Sequence, residues 1–239
     1  MSRGEFVYLL DGDMTLCRPF LAPALAALEA DQRLAGVGGL LRHRTLRTRE
    51  FRLRAARRPQ HLDAGVVDRL DGGGLFRRAA IEDVGYLADR NLHSFEELEL
   101  GARLASKGWT LKRLDLKAVD HDDHQVSDGA LMAMRWSMGY ASGPGELLRA
   151  VWGKPHFLDA VAKVRLIAIA GFVYLTLAVM FGLGIAGGCP GVAAAGLIGI
   201  APFAVMIVRK RGVALGLHSV MNWLLYAAAF PRGLLARRK

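Results

Sequence analysis

Apolar positions follow three different patterns along the chain, and each predicts a different kind of structure. Phe6 to Leu10 is a short unbroken apolar run that stops at Asp11. A run of that length bounded by an acid and a glycine predicts a strand covered on both faces, as in the parallel sheet of an α/β domain. Asp71 to Gly74 is a glycine-rich approach to a short helix over Ala79 to Val84, after which Gly85 to Leu87 turns the chain. Ser94 to Leu104 reads as the first turns of a helix, with Ser94 as N-cap and Glu97 three residues on, the spacing of a capping box. The third pattern is nearly continuous hydrophobicity: from Leu166 to Val208 there is no Asp, Glu, Lys, Arg or His. One span needs ~20 residues to cross ~30 Å of hydrocarbon. The break at Gly187 to Gly191 therefore divides this run into two spans, Leu166 to Ala186 and Val192 to Val208. A further apolar stretch, Val213 to Phe230, carries His218 and Asn222 four apart on one helical face, where they read as helix-contact or headgroup-facing residues.

Charge orients these spans. Lys163 and Arg165 precede the first, Arg209 to Arg211 follow the second, and the turn between them is uncharged. The positive-inside rule then places both ends and the preceding domain in the cytoplasm, in a multi-pass protein of the inner (cytoplasmic) membrane. Basic residues flank the third stretch on both sides, so it either crosses or lies in the interface; its length favours a crossing.

At 239 residues and 52% apolar, the chain is too hydrophobic for a simple soluble domain. The net charge of +10 has its densest source in the arginines between Arg42 and Arg58, whose spacing matches neither a helical nor a strand face. They read as a solvated basic segment, or as a segment attracted to anionic membrane lipids or a phosphorylated substrate. Nucleic acid is not the expected partner, because no aromatic-interleaved motif accompanies them. Cys17 and Cys189 fall on opposite sides of the expected membrane, so no disulfide joins them. No cleavable signal is visible at the N-terminus.

The candidate chemistry starts at Asp11 and Asp13. Two carboxylates one residue apart at the end of a strand suit a hard cation, Mg²⁺ or Mn²⁺, bridged to a substrate diphosphate, with Gly12 permitting close approach. The bland reading is a turn with solvated acids. Glu96, Glu97 and Glu99 have a bland reading too, since acids favour a helix N-terminus. Asp120 to His124 holds metal-ligand residue types, His121 and His124 among them, but reads equally as a solvated loop after the last strand.

Taken together, three segments resemble glycosyltransferase family 2. These are Gly4 to Met14 (Gly-Glu-x-Val-x-x-Leu-Asp-Gly-Asp-Met), Gly72 to Tyr86 (Gly-Gly-Gly-Leu-Phe-Arg-Arg-x-x-Ile-x-x-Val-Gly-Tyr) and Glu96 to Trp109 (Glu-Glu-x-Glu-Leu-x-x-Arg-Leu-x-x-x-Gly-Trp). The resemblance implies an α/β fold: a partial GT-A (Rossmann-like) catalytic domain over 1–125, an amphipathic or interfacial helical linker over 126–163, and a helical transmembrane region over 164–239. It implies inverting transfer of a sugar from a nucleotide-sugar donor to a glycan or lipid-linked acceptor.

Asp11 and Asp13 match the family's metal- and donor-binding Asp-x-Asp. Glu96 and Glu97 match its Glu-Asp pair, whose second member is the general base, with Glu97 standing where Asp is usual. In the same family, a His from the region of His121 and His124 can be a third metal ligand. Met132 to Trp136 resembles a Gln-x-x-Arg-Trp motif without its Gln, so chain elongation is not implied. Arg135 would neutralise a diphosphate and Trp136 would line the acceptor, or the two belong to an interfacial helix.

The resemblance also implies base-reading strands ahead of Asp11, where this sequence has ten residues. Three readings follow: the C-terminal portion of a larger glycosyltransferase, a chain acting beside a separately encoded N-terminal half, or a degenerate, non-catalytic membrane protein.

Overall fold

The computed structural model describes residues 3–44, 62–121, 126–187 and 191–237. The chain opens with β1 (Phe6–Leu9), β2 (Met14–Leu16), α1 (Leu21–Ala30), β3 (Leu34–His43), β4 (Gly65–Val67) and β5 (Gly74–Arg77). It continues through α2 (Arg78–Asp83), α3 (Glu96–Ser106) and β6 (Thr110–His121) to an all-helical remainder: α4 (Asp128–Ser137), α5 (Gly143–Val151), α6 (Phe157–Gly187), α7 (Gly191–Lys210) and α8 (Val213–Leu235).

The strands form one six-stranded sheet in the order β1-β5-β3-β6, and the far edge of β6 is shared by β4 at its start and β2 at its end. Among the described strands, only β3 and β6 run parallel; every other pairing is antiparallel. This corrects the reading of Phe6 to Leu10 as a central strand of a parallel sheet. β1 lies at an edge, pairs antiparallel with β5, and is half-buried at all four positions. The strand buried throughout is β5.

Each face of the sheet carries its own core. Phe20, Ala24 and Leu28 from α1 and the turn before it pack with Val37, Leu75 and Val119 on one side. Leu100 and Leu104 of α3 pack with Leu70, Phe76, Ala80 and Leu111 on the other. Leu75 and Phe76 are neighbours in β5 yet belong to opposite cores, as the two-residue pleat requires. A third cluster, Leu98, Leu147, Val151, Ala160 and Val164 with Phe95 and Phe230 against it, joins α3 to α5, α6 and α8.

Phe157–Gly182 within α6 and the whole of α8 are long and apolar enough to cross a membrane, by length and composition, among the described residues. α6 starts ahead of the expected span, so the expected boundary at 163 falls inside a continuous helix. His218 is buried, in keeping with a helix-contact role. Of the arginine-rich segment only Arg42 and Arg44 are described, and Arg42 donates to Asp120 at 3.0 Å. His124 and Cys189 lie outside the described residues.

Candidate active site

β1 ends at Leu9, and the chain doubles back into β2 through a turn closed by the Met14 N–H donating to the Asp11 carbonyl at 3.1 Å. Asp11 and Asp13 are exposed on that turn. β2 then pairs with the end of β6, Met14 opposite His121. The pairing brings the His121 ring against Asp13, with Nε2 3.1 Å from Oδ2. His121 is therefore the buried last residue of β6 and not part of a solvated loop. Asp11, exposed on one side but partly desolvated by the cavity wall on the other, is held above the usual carboxylate range, first by that loss of hydration, then by the charges of Asp13 and Asp71, while His121 pulls the other way. Negative charge crowded in this way is relieved by a cation.

A divalent metal fits this donor set. Mg²⁺ is commonly held by one or two carboxylates, with substrate phosphates and water completing the shell, and an imidazole nitrogen beside them suits Mn²⁺. Among the described residues, no three His, Cys, Asp or Glu side chains form a cluster that would hold a metal ion by themselves. The site suits a cation that arrives with a diphosphate better than one caged by protein alone.

Glu97 and Ser94 do not form a capping box. The helix starts at Glu96, and its cap position is Phe95 with φ 71°, whose side chain makes no cap hydrogen bond. Ser94 Oγ donates instead to the Tyr140 carbonyl at 2.9 Å. Glu97 is pushed up to about 8, chiefly by burial, then by the charges of Glu96 and Asp71 and more weakly Asp11, with its own backbone N–H opposing. Among the described residues, the buried Glu96 Oε2 finds no hydrogen-bond partner. A cavity of about 180 Å³ opens here; Asp11, Glu96 and Glu97 line it together with the apolar Leu9, Phe76 and Leu100.

Glu99, two residues further along α3, has a different task. It is fully buried, and Arg103 Nε donates to both of its oxygens, at 2.8 and 2.7 Å. Arg103 also donates to the carbonyls of Val84 and Tyr86 and stacks 3.8 Å from the Tyr86 ring centroid, which pins the turn ahead of α3.

Asp71 belongs to the site although sequence reasoning gave it no role. Arg69 Nε donates to its Oδ1 at 2.8 Å, and buried Arg113 donates to its carbonyl at 3.1 Å. The following turn needs glycine: Gly73 has φ 83°, and a Cβ there would stand 3.0 Å from the Leu9 carbonyl carbon. The Asp71 turn is thereby pressed onto the end of β1, and its charge reaches both Asp11 and Glu97. Its place ahead of three glycines was the signal available in the sequence. Arg135 and Trp136 do not line the cavity: they sit in the last turn of α4, where Trp136 is half-exposed and its carbonyl accepts from Arg232 at 3.4 Å.

No family model and no curated protein matches the chain. Among solved structures it resembles the mannosyltransferase PcManGT from Pyrobaculum calidifontis in complex with GDP-Man and Mn²⁺, with a TM-score of 0.57 at 19% identity, over 95% of this chain and 63% of that one. The chain thus spans less than two thirds of that protein's length, and what the likeness shows is a glycosyltransferase-like fold.

Proposed function

We propose that the chain is a membrane-bound inverting glycosyltransferase of family 2 type, transferring a sugar from a nucleotide-sugar donor to a glycan or lipid-linked acceptor. The observation that carries this reading is that Asp11, Glu96 and Glu97 line one cavity at the end of the sheet. Asp11 and Asp13, with His121 beside them, would hold Mg²⁺ or Mn²⁺ together with the donor diphosphate. Bound there, the cation supplies charge that stabilises the departing nucleoside diphosphate. Glu97 takes the proton from an acceptor hydroxyl, a poor nucleophile until a positioned carboxylate does so. The acceptor oxygen then bonds to the anomeric carbon from the face opposite the diphosphate, whose bond to that carbon breaks, and the configuration inverts. The apolar wall of Leu9, Phe76 and Leu100 keeps Glu97 poorly solvated and so keeps its proton affinity high enough for this task.

Glu96, with a buried oxygen lacking a partner, is suited to an acceptor hydroxyl. Arg135 and Trp136, remote from the cavity lining, fit an interfacial helix better than a donor contact. α6 and α8 supply the anchor, with the sheet domain on the cytoplasmic side of the inner membrane. A second reading, in which a separately encoded half completes the site, draws on β1: among the described strands it pairs with β5 alone.

GDP-mannose with Mn²⁺ is the first donor probe, because the structural neighbour binds both. Glu97→Gln should leave donor binding nearly intact and lower turnover by ~10²–10⁴. Asp13→Asn should instead weaken Mn²⁺ and donor binding, read by calorimetry. Parental turnover in Glu97→Gln at saturating donor would remove the base assignment.

A further inference from the structure

The loop that delivers Glu97 is fastened to a helix about 50 residues further along the chain. Glu146, on α5, is 3% exposed, and its two oxygens each face a donor of one residue: Oε2 accepts from the His93 backbone N–H and Oε1 lies on His93 Nδ1, both at 2.9 Å. Arg149, three residues on, donates to the Asn91 carbonyl at 3.1 Å and to the Gly233 carbonyl of α8 at 3.2 Å. Ser94 is tied to Tyr140, and the Phe95 ring packs against the cluster that contains Leu147 and Val151. Gly143 makes room for Ser94 and for that ring; a Cβ there would collide with Ser94 Oγ and come within 3.1 Å of Phe95 Cδ2.

These contacts surround a left-handed residue. Phe95 has φ 71°, a region that side chains other than glycine's occupy only where the surroundings over-determine the backbone. The next residue starts α3, and the one after is Glu97. A buried carboxylate is costly unless its oxygens are matched by donors, and both donors matched to Glu146 come from this loop. None of Glu146, His93 or Arg149 lines the cavity.

We infer that Glu146 is a positioning residue for the candidate base: by gripping His93 through both oxygens it holds Phe95 in its left-handed turn and so sets where Glu97 stands in the cavity. The inference rests on the reading of Glu97 as base. Because α5 is fastened in turn to α8, the position of Glu97 is referenced to an apolar helix and not only to the sheet.

The test uses the full chain in detergent, comparing Glu146→Ala, Glu146→Gln and His93→Ala with the parent. His93 is an exposed residue, so its replacement keeps the inference testable should Glu146→Ala fail to fold. Amide hydrogen exchange, read whether or not the chain turns over, should quicken about tenfold or more in 91–98 for Glu146→Ala, with the rest of α3 unchanged. His93→Ala, which keeps the backbone bond, should show a smaller increase, and Glu146→Gln should recover part of the protection. With GDP-mannose and Mn²⁺, kcat should fall by up to ~10²-fold in Glu146→Ala while KM for the donor holds within about twofold, as expected for misplacement of one group by about 1 Å. Unchanged exchange in 91–98, or faster exchange with parental kcat, would overturn the positioning role. An inactive Glu97→Gln beside a fully active Glu146→Ala sinks the clamp alone, whereas a fully active Glu97→Gln sinks the base reading and the clamp's link to chemistry with it.

Discussion

Glu97 and Glu99 stand two residues apart on one helix and live in opposite electrostatic worlds. Glu99 is fully buried and answered by Arg103 through both oxygens. Glu97 is half-buried among like charges, with Glu96 and Asp71 raising its proton affinity, and among the described residues no arginine pairs with Glu97 itself. The same contrast separates the two ends of the site: Glu146 and Glu99 behind the cavity have their donors built in, while Asp11, Glu96 and Glu97 around it do not. Acids matched by the protein hold the frame. Acids left unmatched store an affinity for something that arrives from outside, such as a cation, a hydroxyl proton or both.

The contrast breaks most visibly at Arg103. Arg103→Ala should destabilise the fold by ~3 kcal/mol, because it leaves the buried Glu99 charge with only the longer contacts to Lys154 at 3.7 Å and Tyr86 at 3.5 Å, whereas replacing both partners by leucine should cost much less. Denaturant unfolding of the two variants measures the difference, and equal losses would mean that packing rather than charge holds the turn.

Glu97 should behave in the opposite sense. Its proton affinity is raised on folding to about 8 from the ordinary carboxylate value, so the folded chain binds a proton that the unfolded chain has released. Stability is therefore highest below about pH 4.5 as far as this group is concerned, falls as pH rises through the window up to about 8, and stays reduced above it. Glu97→Gln should remove that slope and, at pH 8.5, raise stability by on the order of 3 kcal/mol while abolishing most turnover. Thermal unfolding between pH 5 and 9 reads this directly; a parallel pH profile for the two proteins would show that Glu97 is solvated.

The smallest effect belongs to a pair that is matched but wet. Lys163 at the start of α6 reaches Asp68, with both side chains substantially exposed. Lys163→Ala should cost about 0–1 kcal/mol. A larger loss would mean that the junction between sheet and helices is drier than its exposure indicates.

Local chemistry made some of this legible in the sequence and hid the rest. The apolar run Phe6 to Leu10 predicted a strand, but a run of five residues looks the same at an edge as in the centre, and only pairing decides which. The Ser94 cap was misread because a contact with Tyr140, 46 residues away, claims the hydroxyl and Phe95 turns left-handed before the helix begins. The acids of the site were legible as residue types at suggestive spacings. Their convergence was not, since the approach of His121 to Asp13 spans 108 positions and Asp71 sits apart from both acidic pairs.

Where α5 crosses α8, Gly145 and Gly233 face one another so closely that a Cβ on Gly145 would stand 2.8 Å from the Leu234 nitrogen, and one on Gly233 2.8 Å from the Glu146 nitrogen. The obstacles are backbone atoms, which no rotamer change can move aside. A methyl group at either glycine would not loosen the crossing by degrees; it would part the two helices. The apolar helix α8 therefore belongs to the same cooperative folding unit as the loop that carries Glu97, and a solvent that strips α8 from its neighbours dismantles the cavity as well as the helical packing.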